Sequence, residues 1–147
     1  MRFFLIILSA VLITGCSVTP YKDLDIDSTS NFKSPTKGKA GIYVYQWKSG
    51  IIGAISDVDF EIKGYPEISL NTGEYGYFEL PPGEYEYKGT GGLLKQYGKA
   101  KFEANQNYFF RAFFNMGDYI LWVKDQVEIN EAKSNIKNGR YEKYSVD

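Results

Sequence analysis

The chain has 147 residues, a length suited to one domain, and a formal net charge of −1, which supplies no basic field to draw nucleic acid. It holds no histidine and one cysteine, which excludes a histidine-based triad, a histidine metal site, a CxxC redox pair and an internal disulfide. Aromatic residues reach 17%, with 13 Tyr and 10 Phe, a composition that favours strands over helices.

Arg2 and the apolar run 3–13 (FFLIILSAVLI) have the charge and length of an export signal. A bilayer-spanning helix would need about 20 apolar residues. Ile13-Thr14-Gly15-Cys16 resembles the bacterial lipobox: a branched apolar residue, two small residues, then the cysteine that accepts lipid. The resemblance implies a signal peptide over 1–15, cleavage after Gly15, a diacylglycerol thioether on Cys16, and acylation of the new amino group by palmitate or a similar chain. Several acyl chains at about 0.8 kcal/mol per buried CH₂ make dissociation negligible. Ser17, where Asp would signal inner-membrane retention, favours the outer membrane of a Gram-negative cell, with the domain in the periplasm. Residues 16–39 comprise the lipidated cysteine and a polar stretch rich in Ser, Thr, Asp and Lys, which reads as a flexible tether.

From Ala40 onward the period is 2. Residues 40–47 (AGIYVYQW) form a strand with apolar residues on both faces. In 57–62, Val58, Phe60 and Ile62 alternate with Asp57, Asp59 and Glu61, as in a half-buried strand. Lys63-Gly64 turns the chain, 68–70 is a short strand, and Asn71-Thr72-Gly73 closes it. The strand 75–80 (YGYFEL) ends at Pro81-Pro82-Gly83, where a tight reversal is expected to hold Gly83 at positive φ. The strand 84–88 puts Tyr85 and Tyr87 on one face, Gly89-Thr90-Gly91-Gly92 reads as a loop, and 99–103 turns Ala100 and Phe102 inward. Strands 108–114 (YFFRAFF) and 119–123 (YILWV) follow, then a short helix over 130–137 and a tail at 139–147.

Seven to eight short strands with turn signals between them indicate an all-β protein, an antiparallel β-sandwich of the prealbumin or immunoglobulin kind with one short C-terminal helix. Its domain spans 40–138. A membrane barrel would need strands of about 10 residues in an even array. The segments GKAGIYVYQW (38–47), LPPGEYEY (80–87), ANQNYFFRAFF (104–114) and VKDQVEINEA (123–132) resemble, in this order, a family of bacterial lipoproteins of unknown function. The resemblance covers about residues 38–138 and implies a prealbumin-like β-sandwich and an envelope location. The chain departs from the family at Gln46, where a basic residue is expected, and at Glu84-Tyr85, where a histidine is common. The family brings no catalytic residues to transfer.

The motifs for chemistry are incomplete. Asp23, Asp25 and Asp27 have calcium-loop spacing, but Ser28 and Ser34 stand where an EF-hand needs Gly and Glu, so no metal site is expected. The stretch 92–99 (GLLKQYGK) has the wrong glycine spacing for a phosphate loop, and Ala100 replaces its Ser or Thr, so no cofactor is expected. Asp57, Asp59, Glu61, Glu84 and Glu86 lie on strand faces that usually meet solvent. A glycosidase needs two carboxylates about 5 to 9 Å apart across a cleft. No SxxK motif offers a lysine base in place of histidine.

The aromatic faces are the candidates for binding. Tyr43, Tyr45 and Trp47 share one face of the first strand, and Phe109, Arg111 and Phe113 share one face of YFFRAFF, opposite Phe110, Ala112 and Phe114. Only one face of each sheet in a sandwich points into the core. The other face is either a recognition surface, since Tyr, Trp and Arg dominate binding hot spots, or is covered by a loop or the late helix. The sequence reading is therefore a non-enzymatic envelope lipoprotein, anchored by lipid, whose sandwich binds or scaffolds a protein or cell-wall partner and no nucleic acid. A phage or plasmid exclusion lipoprotein and a cell-wall glycan hydrolase are the alternatives.

Overall fold

The run Ala-Gly-Ile-Tyr-Val-Tyr-Gln has no polar face, and strand β1 (Ala40–Gln46) is buried at every position. In the computed structural model, which describes residues 29, 31–46, 58–71, 73–91, 94–112, 120–138 and 142–143, β1 is the middle strand of a five-stranded sheet. Its neighbours are β4 (Glu74–Leu80) and β7 (Asn107–Ala112), with β8 (Ile120–Val123) and β9 (Glu142–Lys143) at the edges. A second sheet runs in the order β3 (Ile68–Leu70), β2 (Val58–Ile62), β5 (Gly83–Gly91), β6 (Leu94–Phe102).

The protein is a β-sandwich. Ile42 and Val44 of β1, Phe78 of β4 and Phe110 of β7 face Phe60 of β2 and Phe102 of β6 in one apolar core between the sheets. Phe110 lies at the centre, its ring 5.0 Å from Phe60, 5.1 Å from Tyr87 and 6.1 Å from Phe102. The first sheet is buried on its other face as well. Helix α1 (Gln126–Asn138) and residues 31–36 lie over it and enclose a second apolar cluster. A sheet covered on both faces reads as continuous hydrophobic sequence, which is why β1 has no polar side.

The sheets are mainly antiparallel, but β1 pairs with β7, and β4 with β9, in parallel. Parallel neighbours need a long crossover, and here the chain runs through the whole second sheet between β1 and β7. The same routing corrects the expectation for Gly83. Strands β4 and β5 belong to different sheets, so Pro81-Pro82 carries the chain between layers without a hairpin. Gly83 lies outside the left-handed region and opens β5 opposite Phe102; among the described residues the glycines at positive φ are Gly38, Gly64 and Gly73.

The glycine-rich stretch expected as a loop is largely strand. Gly89 and Gly91 lie in β5, paired with Phe60 and Val58 of β2. A side chain at Gly89 would overlap Ile120, so this glycine marks close approach of the two sheets. Gln96 of β6 reinforces that contact: its amide donates to the Ile120 carbonyl at 2.8 Å and accepts from the Ile120 N–H at 3.0 Å.

Two boundaries also shift. Helix α1 starts four residues before the expected 130, because Asp125 caps it: its Oδ1 accepts from the Val127 N–H at 2.7 Å. Val127, in the first turn, is exposed and stands off the apolar stripe of Ile129, Ala132 and Ile136, which breaks the helical period at this end of the sequence. Residues 29 and 31–39, read as the end of a tether, are part of the folded unit. Thr29 is buried, Phe32 packs on the first sheet, and Thr36 N donates to Glu79 at 3.0 Å.

Candidate functional site

The covered face of the first sheet holds the side chains singled out in the sequence. Period 2 places Tyr43 and Tyr45 of β1, Tyr75 and Tyr77 of β4, and Phe109 of β7 together, and each is at most 4% exposed. The strand phase is the one expected: Phe110 and Ala112 point into the core between the sheets, and Phe109 points to the other side. The face is not an open recognition surface. Ile129, Ala132 and Ile136 of α1 cover part of it, and Phe32 covers another part. This corrects Tyr43, Tyr45 and Phe109 as accessible binding residues, since burial removes them from any partner. Arg111 is half-buried, opposite Tyr45 and Leu121 in register. Trp47, Phe113, Cys16 and the Asp23, Asp25 and Asp27 cluster lie outside the described residues.

Tyr43 is the hub. Its ring centroid lies 4.5 Å from Tyr77, 5.0 Å from Phe109, 5.3 Å from Phe32 and 6.5 Å from Tyr75. Phe32 reaches the hub because its backbone takes the left-handed conformation, φ 54°, which a bulky residue adopts only when its surroundings hold it. Lys133 of α1 sits over both rings, 5.9 Å from Phe32 and 5.8 Å from Phe109.

The hydroxyls of this face are tied to the covering segment. Tyr43 donates to the Thr29 carbonyl at 2.8 Å, and Thr29 Oγ1 and the Tyr75 hydroxyl are 2.8 Å apart. Tyr77 donates to Glu79 Oε1 at 2.8 Å, and Asn107 donates to the Lys33 carbonyl at 2.9 Å. Burial pushes the phenols of Tyr43, Tyr75 and Tyr77 above their ordinary value, and for Tyr77 the bond to Glu79 adds to the effect.

Gly41 makes this network possible. A Cβ there would overlap Asn107 Oδ1 and stand 2.8 Å from the Tyr77 hydroxyl. Gly41→Ala is therefore expected to lower stability by about 1 to 3 kcal/mol, the usual cost of overpacking. Urea unfolding followed by circular dichroism checks this, and an unchanged midpoint would refute the close approach.

Between residues 33–36 and β4 lies a cleft of about 230 Å³, with Glu79, Tyr43, Tyr77 and Pro35 among its walls. Glu79 is 4% exposed although it carries a carboxylate. The sequence reading passed over Glu79. Its signal was the phase it shares with Tyr75 and Tyr77 in a strand whose intervening residues, Gly76, Phe78 and Leu80, face the core.

The carboxylates considered for hydrolysis lie elsewhere, on the outer face of the second sheet. Lys88 bonds Glu61 at 2.7 Å and Glu67 at 3.3 Å, and Lys63 bonds Glu86 at 2.7 Å. The hydrogen bond and charge of Lys63 hold the Glu86 carboxyl below its ordinary range, the opposite direction from a general acid. Asp57 lies outside the described residues. Among the described residues, no group of three or more His, Cys, Asp or Glu could hold a metal ion.

A family model, described as a protein family of unknown function, matches residues 36–124. The chain belongs to DUF2846. The match runs from the covering segment through β8 and ends before α1. An uncharacterized protein of Haemophilus influenzae is 25% identical over 135 residues, which cover 86% of this chain and 76% of that protein. The N-terminal domain of AlgF from P. aeruginosa superposes with a TM-score of 0.41 at 19% identity, over 60% of this chain and 95% of that one.

Proposed function

We propose that this DUF2846 protein is a lipid-anchored protein of the bacterial envelope, outer-membrane in a Gram-negative cell, whose prealbumin-like sandwich is a non-enzymatic binding or scaffolding module for a protein or cell-wall partner. The observation that carries the reading is Ile13-Thr14-Gly15-Cys16 directly after the apolar run 3–13, with Cys16 the sole cysteine of the chain. The position of the folded unit supports it. The first described residue, Thr29, is already packed on the sheet, and from Cys16 to Thr29 the chain reaches at most about 45 Å. A domain anchored in this way stays beside its bilayer. Among the described residues, no helix is long and apolar enough to cross a membrane.

Cys16→Ser tests the anchor. The variant is expected to accumulate as an unprocessed precursor that takes up no labelled fatty acid, because no other thiol can accept the diacylglycerol. A lipid-labelled, processed Cys16→Ser protein would overturn the reading. Separation of the two membranes on a density gradient then decides between inner and outer residence.

A further inference from the structure

Strand β6 is an edge of the second sheet, with no strand beyond it among the described residues. The ladder fixes which backbone groups face outward. The Lys63 N–H donates to the Glu86 carbonyl at 2.9 Å, so Glu86 turns its backbone groups toward β2. Along β5 the direction alternates, and Tyr85, Tyr87 and Gly89 turn theirs to Ala100, Gly98 and Gln96 of β6. The N–H and C=O groups of Lys95, Tyr97, Lys99 and Lys101 therefore point away from β5 and take no partner among the described residues. All four residues are exposed. The register of β5 and β6 runs without a bulge, and no proline interrupts β6, so two of the usual guards of a sheet edge are missing.

The charge on this edge narrows what can pair with it. Lys95, Tyr97, Lys99 and Lys101 share one face of β6. Lys99 lies 3.6 Å from Glu86, while Lys95 and Lys101 have no ion pair among the described residues. Pairing with the β6 of another copy would set lysine against lysine, which is unfavourable. An acidic strand of period 2 meets the edge instead, and the chain holds such a segment outside the domain, Asp23-Leu24-Asp25-Ile26-Asp27. In the register that charge selects, its three carboxylates fall on the lysine face and Leu24 and Ile26 on the face of Gly98 and Ala100. A chain cannot lay this segment along its own β6. Asp27 lies two residues, at most about 7 Å, from Thr29. Thr29 is bonded to Tyr43 and Tyr75 on the outer face of the first sheet, and β6 belongs to the second sheet, about 10 Å beyond the first.

We propose that residues 23–27 of one copy add as a strand to the β6 edge of a second copy. The exchange is reciprocal, each copy giving its segment and receiving the other's, which closes a two-fold dimer. The backbone groups of Lys95, Tyr97, Lys99 and Lys101 supply the hydrogen bonds, and the lysines select the acidic strand. The inference goes beyond the reading of the domain as a binding module and does not depend on the lipid anchor. A monomeric protein would leave fatty-acid labelling at Cys16 untouched, and an unlipidated one would keep both the segment and the edge.

The test is sedimentation equilibrium of the full chain in detergent, with micelles in excess so that two copies do not share one by chance. The wild-type chain is expected to dimerise with Kd below about 0.1 mM. Lys99→Glu combined with Lys101→Glu is expected to weaken the dimer about tenfold or more, and Asp23→Lys combined with Asp25→Lys to do the same. An equimolar mixture of these two double variants is expected to recover dimers to within about threefold of wild type, because each acidic segment then has a basic edge and each basic segment an acidic one. Lys99 and Lys101 are exposed, so their replacement leaves the packed core alone. Three results would each overturn the proposal: a monomeric wild-type chain in that range, a dimer that neither pair of substitutions weakens, or no recovery on mixing. Association through acyl chains gives the second of these.

Discussion

Tyr43→Ala is expected to lower the stability of the domain by about 3 to 5 kcal/mol, the cost of deleting a large aromatic side chain from a packed interior. Tyr43 is 1% exposed and meets four aromatic rings, one of them from residue 32 in the covering segment. The substitution leaves a cavity that the sheet cannot close, because β1 is held on both sides by β4 and β7. It also removes the donor to the Thr29 carbonyl. Tyr43→Phe separates the two contributions: the ring remains, and the lost hydrogen bond costs about 1 kcal/mol. Tyr97→Ala, at a side chain 71% exposed, serves as control and should stay within about 0.5 kcal/mol of wild type. Urea denaturation curves of the three variants provide the measurement. A Tyr43→Ala protein within about 1 kcal/mol of wild type would mean that the second layer is not a packed layer at all.

The strands were legible wherever burial is one-sided or complete. Val58, Phe60 and Ile62 alternate with polar residues because β2 has the core on one side and solvent on the other. The strand at 40–46 lost its alternation because it is buried on both faces, and the apolar run still marked it. Legibility failed where side chains answer to a distant partner. The first half of β6 has no apolar alternation, since it is held by pairing with β5 and by the Gln96 amide on Ile120, across 24 positions of sequence. Gly89 reads as part of a loop because a close approach by Ile120 leaves no local trace. At the candidate site, the phase of the aromatic face could be counted along each strand. The late helix is one of the covers the sequence suggests; Phe32 is not, since it comes from a polar stretch with no period. Glu79 was invisible for a related reason: a carboxylate in a strand ordinarily marks the wet face, and only the covering segment makes this one dry.

The same buried face predicts a steep loss of stability in alkali. Tyr43, Tyr75 and Tyr77 are each held above the ordinary phenol value of 10.0, first of all because burial penalises the phenolate. Nearby Glu79 raises Tyr43 and Tyr77 further, while the bond from Thr29 offsets part of the effect at Tyr75. Below pH 10 these phenols keep their protons in the folded and unfolded chain alike, and they add no pH dependence. Above it the unfolded chain ionises while the folded one does not, so the folded state binds more protons and its stability falls as pH rises. Tyr43 and Tyr77 each contribute about 1 kcal/mol of loss between pH 10 and 11, and Tyr75 adds to it in the same direction, so the loss is about 2 kcal/mol or more, a large share of the roughly 5 to 15 kcal/mol that holds a typical domain. Lys63 and Lys88, raised by their carboxylate partners, titrate in the same region with the same sign, but Lys63 pairs in the open and Lys88 at the half-exposed surface, where solvent screens the charge. Tyr77→Phe separates the two sources: it should remove about 1 kcal/mol of the loss between pH 10 and 11, which no lysine effect would do. Phenolate absorbance gives the direct reading, and Tyr43 and Tyr77 should ionise only as the protein unfolds. Urea midpoints that agree at pH 9 and pH 11, or ionisation of all the tyrosines near pH 10 in the folded protein, would show that this face is wet.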